Sequence, residues 1–132
     1  MGTPAIITFM DDNQPCANVY LNSDGYPSWA GVRLGKWVEK FTVGNGVPLG
    51  AKTGEYANGM GCLAAQYVSE MKDRVGDVYL ISDASSWFAD YCYTVELNRD
   101  NKIMISCYSP GEEDKAVTLY PKLFLTWASK QD

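Results

Sequence analysis

The side chains able to do chemistry are few, and their spacing assembles no reactive pair. The chain has no histidine, which removes the commonest general base and the commonest metal ligand. The remaining nucleophile or acid–base candidates are Asp24, Asp83, Asp90, Lys52 and the cysteines Cys16, Cys62, Cys92 and Cys107. No two cysteines stand in a C-x-x-C spacing, so zinc ligation and thioredoxin-like redox chemistry are not indicated. Gly50-Ala51-Lys52-Thr53 falls short of a phosphate loop, because Ala51 interrupts the Gly-Lys-Thr run and a helix pattern comes before it. Gly44, Gly46 and Gly50 likewise miss the dinucleotide spacing and lack the preceding strand. The sequence calls for no cofactor and no metal. An enzyme reading is confined to a small hydrolase or transferase working from an Asp or a Cys without His.

Residues suited to recognition are more plentiful. Asp24-Gly25-Tyr26-Pro27 is the sharpest turn signal in the chain. Gly25 is expected to take φ > 0 while Asp24 closes an Asx-turn. Tyr26 is pushed to extended backbone by Pro27, and Ser28 is placed to cap a helix. Tyr20, Tyr26, Trp29, Trp87 and Phe88 have no place in a core stripe, and such aromatics stack on a base or fill a partner's pocket. With Asp24 and the cations Arg33 and Lys52, the residues Tyr26, Trp29, Trp87 and Phe88 make up the candidate binding set. Apart from Arg33, they belong to three segments: the turn, a glycine-rich loop and the Trp87–Phe88 loop. Loops on a rigid scaffold are where recognition usually sits.

The elements that must hold these loops follow from periodicity. Residues 5–10 read as a strand, 11–15 as a polar loop without a tight turn, and 18–21 as the returning strand. A helix is expected over 29–41, with Ala30, Leu34, Trp37, Val38 and Phe41 on one stripe. Gly31 and Gly35 on that helix suggest close approach to the sheet. Residues 42–58 are broken by glycines and Pro48 and read as a flexible loop or lid. The next helix carries Met60, Leu63, Ala64, Tyr67, Val68 and Met71 at helical spacing, with Asn58 as N-cap and Gly76 as its stop. A strand at 78–81 and a loop at 83–90 precede a hairpin of 91–97 with 103–108. There Cys107 faces Tyr93, Asn98 pairs with Lys102, and Asn101 takes the left-handed position. A last strand at 116–119 leads to a short helix from Pro121, whose buried side is Leu123, Phe124, Trp127 and Ala128. The expected fold is α+β: an antiparallel sheet of about five strands with two main helices and a short C-terminal helix.

At 132 residues, 46% of them hydrophobic, the chain is expected to be a single domain over 1–132 with a core of its own. A net charge of −5 disfavours nucleic-acid and anionic-membrane surfaces, which require a basic face. Apolar runs stop after a few residues, and no signal peptide is visible. The expectation is a cytoplasmic protein with free thiols.

The start Gly2-Thr3-Pro4-Ala5, the strand after it, the Asp24-Gly25-Tyr26-Pro27 turn and Tyr91-Cys92-Tyr93-Thr94-Val95 together resemble a family of small bacterial and phage proteins. Their typical opening is G-T-R-A before a strand, followed by a D-G-aromatic-P turn. The resemblance covers about two-thirds of the chain. Pro4 stands where the family has arginine, and Leu21-Asn22-Ser23 replaces a segment that often carries His and Trp. The resemblance implies the fold and a phage or bacterial setting, with no catalytic residue to transfer. The functional expectation is a non-enzymatic binder, of counter-defence type, that occupies a host protein or sequesters a small nucleotide-like ligand. Homo-oligomerisation is left open.

Overall fold

In the computed structural model the described residues are 2–131. The first hairpin is tighter than its sequence suggests. Strand β1 (Ala5–Asp11) and β2 (Gln14–Leu21) are joined by Asp12 and Asn13 alone. Both have positive φ, 52° and 66°, the backbone that twists a two-residue turn to match its strands. Pro15 then falls inside β2, where a central strand would not tolerate it. The register resolves the conflict by slipping between Phe9, paired with Ala17, and Met10, paired with Pro15. Cys16 is the extra residue of this bulge.

Pro27–Gly31 form a π-helical turn that leads into α1 (Val32–Val38). The helix ends three residues before the expected Phe41, yet Ala30, Leu34, Trp37, Val38 and Phe41 are all buried. Residues 42–58 are not a lid free at both ends. β3 (Thr42–Gly44) and β4 (Tyr56–Asn58) pair in parallel at the base of the loop. Asn58 does not cap α2 (Gly59–Met71). Its Oδ1 accepts the Gly46 N–H at 2.7 Å, while Gln66 bonds Gly54 N–H and the Tyr56 carbonyl. Gly76 does not stop α2, which ends at Met71. With φ +97° it turns the chain into β5 (Val78–Ile81).

β6 (Tyr91–Leu97) and β7 (Ile103–Tyr108) have the register read from the sequence: Tyr93 opposite Cys107, Val95 opposite Ile105, Leu97 opposite Ile103. The Asn98 N–H donates to the Lys102 carbonyl, and Asn101 has φ 59°. β8 (Val117–Leu119) and α3 (Pro121–Ala128) complete the chain. Phe124 and Ala128 are buried, but Leu123 is exposed, against expectation.

The main sheet has six strands, not about five, in the order β5-β2-β1-β6-β7-β8. It is mostly antiparallel; β1 and β6 are parallel. Among the described residues there are three α-helices, of which only α2, with 13 residues, is long, rather than two main helices and a short third; α1 has 7 and α3 has 8. The glycines of the first helical segment approach a helix, not chiefly the sheet. A Cβ on Gly35 would lie 3.3 Å from Leu125 backbone atoms, and one on Gly31 would lie 3.2 Å from the Ala128 Cβ. These positions let α1 and α3 close on each other over one face of the sheet.

The other face is covered differently. After β5 the chain returns to the sheet centre through residues 82–90. This strap buries Ala89 against Ile6 and Ile81, with Tyr20 and Ala84 packed alongside.

Candidate functional site

Geometry gathers most of the predicted recognition residues around β5, one of the two edge strands, but on two sides of it. No strand among the described residues pairs with its outer side. Unpaired edge backbone is a ready template for another chain, and proteins usually blunt it with charge or proline. β5 reads Val-Tyr-Leu-Ile, and Leu80 is 71% exposed.

On the helix side, where Leu21 and Val78 point, lies a cleft of about 180 Å³. Asp24, Trp29 and Arg33 line it together with Tyr67, Met71 and Arg74. The turn places Asp24 there by an exchange of roles with its neighbour. Asp24 takes the positive φ, 57°, that the sequence assigns to Gly25. Gly25 is required for space instead. A Cβ there would come within 2.7 Å of the Thr3 carbonyl oxygen, and its own N–H donates to that oxygen at 2.7 Å. The Tyr93 hydroxyl donates to the Gly25 carbonyl, also at 2.7 Å, pinning the turn to the sheet centre. Trp29 is 49% exposed, and the Arg33 guanidinium sits 5.7 Å from its ring centroid.

On the strap side, Tyr20 pairs across the strands with Tyr79. Their rings lie 6.1 Å apart, and Trp87 packs on Tyr20 at 4.8 Å. Such tilted pairs hold the rings in fixed geometry. Trp87 is 45% exposed, and Phe88 beside it is more so. Asp83 caps the strap's short 3₁₀ turn by accepting from the Ser85 N–H and hydroxyl. The two sides meet at Lys72. Its Nζ donates to the Val78 carbonyl at 2.9 Å, reaches Asp77 at 3.3 Å and stands 5.7 Å over the Tyr79 ring.

Two predicted residues fall outside this arrangement. Tyr26 is half-buried under the turn and its carbonyl accepts the Trp29 and Ala30 N–H groups. Lys52 stands exposed on the glycine-rich loop and does not line the cleft. Of the three expected segments, the turn and the Trp87–Phe88 loop thus lie on two sides of one strand, and Lys52 of the glycine-rich loop lines neither. Sequence reasoning missed Tyr67, Met71 and Tyr79 as participants. Their helical or strand spacing marks them as scaffold, and only the sheet order reveals the edge.

A second opening, about 750 Å³, lies at the far end of the sheet between the two hairpin turns. Met10, Met60 and Met104 line it with Asp11, Asp12 and Glu96. Among the described residues no three Cys, Asp or Glu side chains converge to hold a metal ion. Nor is any helix there long and apolar enough to cross a membrane. Burial pushes the Cys107 thiol up to about 12, and burial raises Cys92 and Cys16 as well.

No family model, curated protein or solved structure matches the chain.

Proposed function

We propose that this protein is a non-enzymatic binding module that docks an extended segment of a partner protein along β5. The observation that carries this reading is the outer edge of β5, which no strand among the described residues covers and where Leu80 is exposed while Lys72 holds the Val78 carbonyl; the Trp29–Arg33 cleft flanks it on one face and the Tyr20–Tyr79–Trp87 shelf on the other. Strand addition draws affinity from main-chain hydrogen bonds and specificity from pockets for alternate side chains, which point to opposite faces. A strand added to β5 meets one feature on each face. The phage or bacterial setting implied by the G-T-x-A resemblance makes a host protein the partner, with counter-defence as the consequence of occupying it.

Size and charge favour a protein partner over a nucleotide-like ligand. Ligand pockets usually span roughly 300–1,000 Å³, and the Trp29–Arg33 cleft is smaller than that. The larger opening carries Asp11, Asp12 and Glu96 against the one cation Arg99, a balance that disfavours phosphate. The rival hydrolase or transferase reading finds burial raising the Cys16, Cys92 and Cys107 thiols, away from the thiolate that is the nucleophilic form.

The test begins with Leu80→Lys, which places a charge on the edge. Leu80 is mostly exposed, so stability should change by no more than about 0.5 kcal/mol. A partner purified with the wild-type chain should bind the variant at least about tenfold more weakly by calorimetry, a loss of ~1.4 kcal/mol. Mass spectrometry should return that partner unmodified. Undiminished binding by Leu80→Lys sinks the edge-docking reading, and a modified partner favours the enzyme.

A further inference from the structure

Tyr67 is 2% exposed, with its ring held between Phe9 and Trp37 at centroid distances of 5.8 and 5.4 Å. Its hydroxyl makes no hydrogen bond to any side chain or backbone group among the described residues. Buried tyrosine hydroxyls usually find a partner. No fully buried side-chain nitrogen or oxygen among those residues lacks one, so the Tyr67 hydroxyl is not sealed in. Tyr67 is one of the residues that line the cleft.

Arg33 lines the same cleft and is close enough for its charge to act on the Tyr67 phenol. A guanidinium carries five N–H donors in a fixed fork. One nitrogen of Arg33 reaches only the Met71 sulfur, at 3.3 Å, a weak acceptor. None of the ion pairs among the described residues involves Arg33. The neighbouring cations are engaged: Lys72 with Asp77 at 3.3 Å, and Arg74 with Asp73 and Asp77 at 3.8 Å each. Those contacts also occupy the two carboxylates, and exposed Asp24 makes no ion pair among the described residues. Trp29 under the guanidinium keeps the fork in place without neutralising it.

We infer that the cleft receives a carboxylate, the end of an acidic side chain on the docked partner strand, between the Arg33 fork and the Tyr67 hydroxyl. This rests on the strand-docking reading above. The cleft's volume fits one side chain. Arg33 repels a cation, while Asp24 and the net charge of −5 penalise a phosphate dianion more than a carboxylate. Bidentate Arg–carboxylate pairing is among the stronger charge-assisted contacts.

Nuclear magnetic resonance titration of the full chain tests this, with N-acetyl-glutamate N-methylamide as probe and the glutamine analogue as control. The glutamate probe should shift the Arg33 Nε–H and Tyr67 ring signals saturably, and the glutamine analogue should not. Arg33→Gln should weaken the response at least about tenfold, and Tyr67→Phe by about three- to tenfold. Each variant's own spectrum reports whether it is folded. Absence of saturable shifts in the wild type, equal shifts with both probes, or an undiminished response in folded Arg33→Gln overturns the inference. The outcome is separable from that of Leu80→Lys. Failure here with a Leu80→Lys defect intact removes the carboxylate and leaves strand docking standing. Success here with no Leu80→Lys defect removes strand docking.

Discussion

A buried bond from the Tyr93 hydroxyl to the Gly25 carbonyl ties the Asp24–Pro27 turn to the middle of the sheet. Tyr93→Phe deletes the donor and leaves that carbonyl without it inside the core, where an unsatisfied group costs about 1–3 kcal/mol. Denaturant unfolding of the variant should show that loss, and a loss below ~0.5 kcal/mol would mean the turn is held by its other contacts. Asp77 makes a second residue-level prediction. Desolvation works to raise its pKa, but hydrogen bonds from Asp73 and Lys72 prevail and hold the carboxyl low, from an ordinary 3.8 to about 2. A depressed carboxylate contributes stability above its unfolded pKa and loses it as pH falls through the folded value. Acid titration of stability should therefore show a component that fades between about pH 4 and pH 2 and is absent in Asp77→Asn. At this scale the turn itself was legible in Asp24-Gly25-Tyr26-Pro27. The division of labour within it was not, because Thr3 and Ala5 crowd Gly25 and no local signal carries that crowding.

Helical and strand periodicity are properties of burial, and burial follows them here. Leu63 and Ile105 are both fully enclosed, one on α2 and one on β7. Replacing either by Ala should cost about 2–5 kcal/mol. Unfolding midpoints that hardly move for both would contradict the assigned core. The β6–β7 register was readable because alternation and loop length converge on one pairing. The β1–β2 turn was not, because Pro15 argues against a strand and only the bulge at Cys16 reconciles it. The end of α2 was likewise misplaced. Gly76 carries a stop signal, but Lys72 leaves the helix early, in extended backbone, and turns its Nζ to Asp77 and the Val78 carbonyl. Tertiary partners, absent from any local window, decide such boundaries.

The sheet order is what sets distant segments on either side of one strand. β5 reaches the edge by pairing with β2, and the strap then recrosses the sheet to start β6 beside β1. That route leaves Trp29 on the helix side and Trp87 on the strap side, with one strand between them. Sequence alone set both tryptophans apart from the core, but could not show that they flank a common edge. A partner strand on β5 would place alternate side chains against each, so the two rings should contribute separately to one docking event. Trp29→Ala and Trp87→Ala should each weaken partner binding by about 1–3 kcal/mol, as truncation of a buried interface aromatic does. Neither ring touches the other's surface, and independent sites add within about 0.3–0.5 kcal/mol. The double variant should therefore lose close to the sum in calorimetry. A double loss no greater than the larger single loss would place both tryptophans at one spot or one of them outside the interface. A concentration-dependent dimer of the free chain, abolished by Leu80→Lys, would identify the strand's partner as a second copy of the same edge.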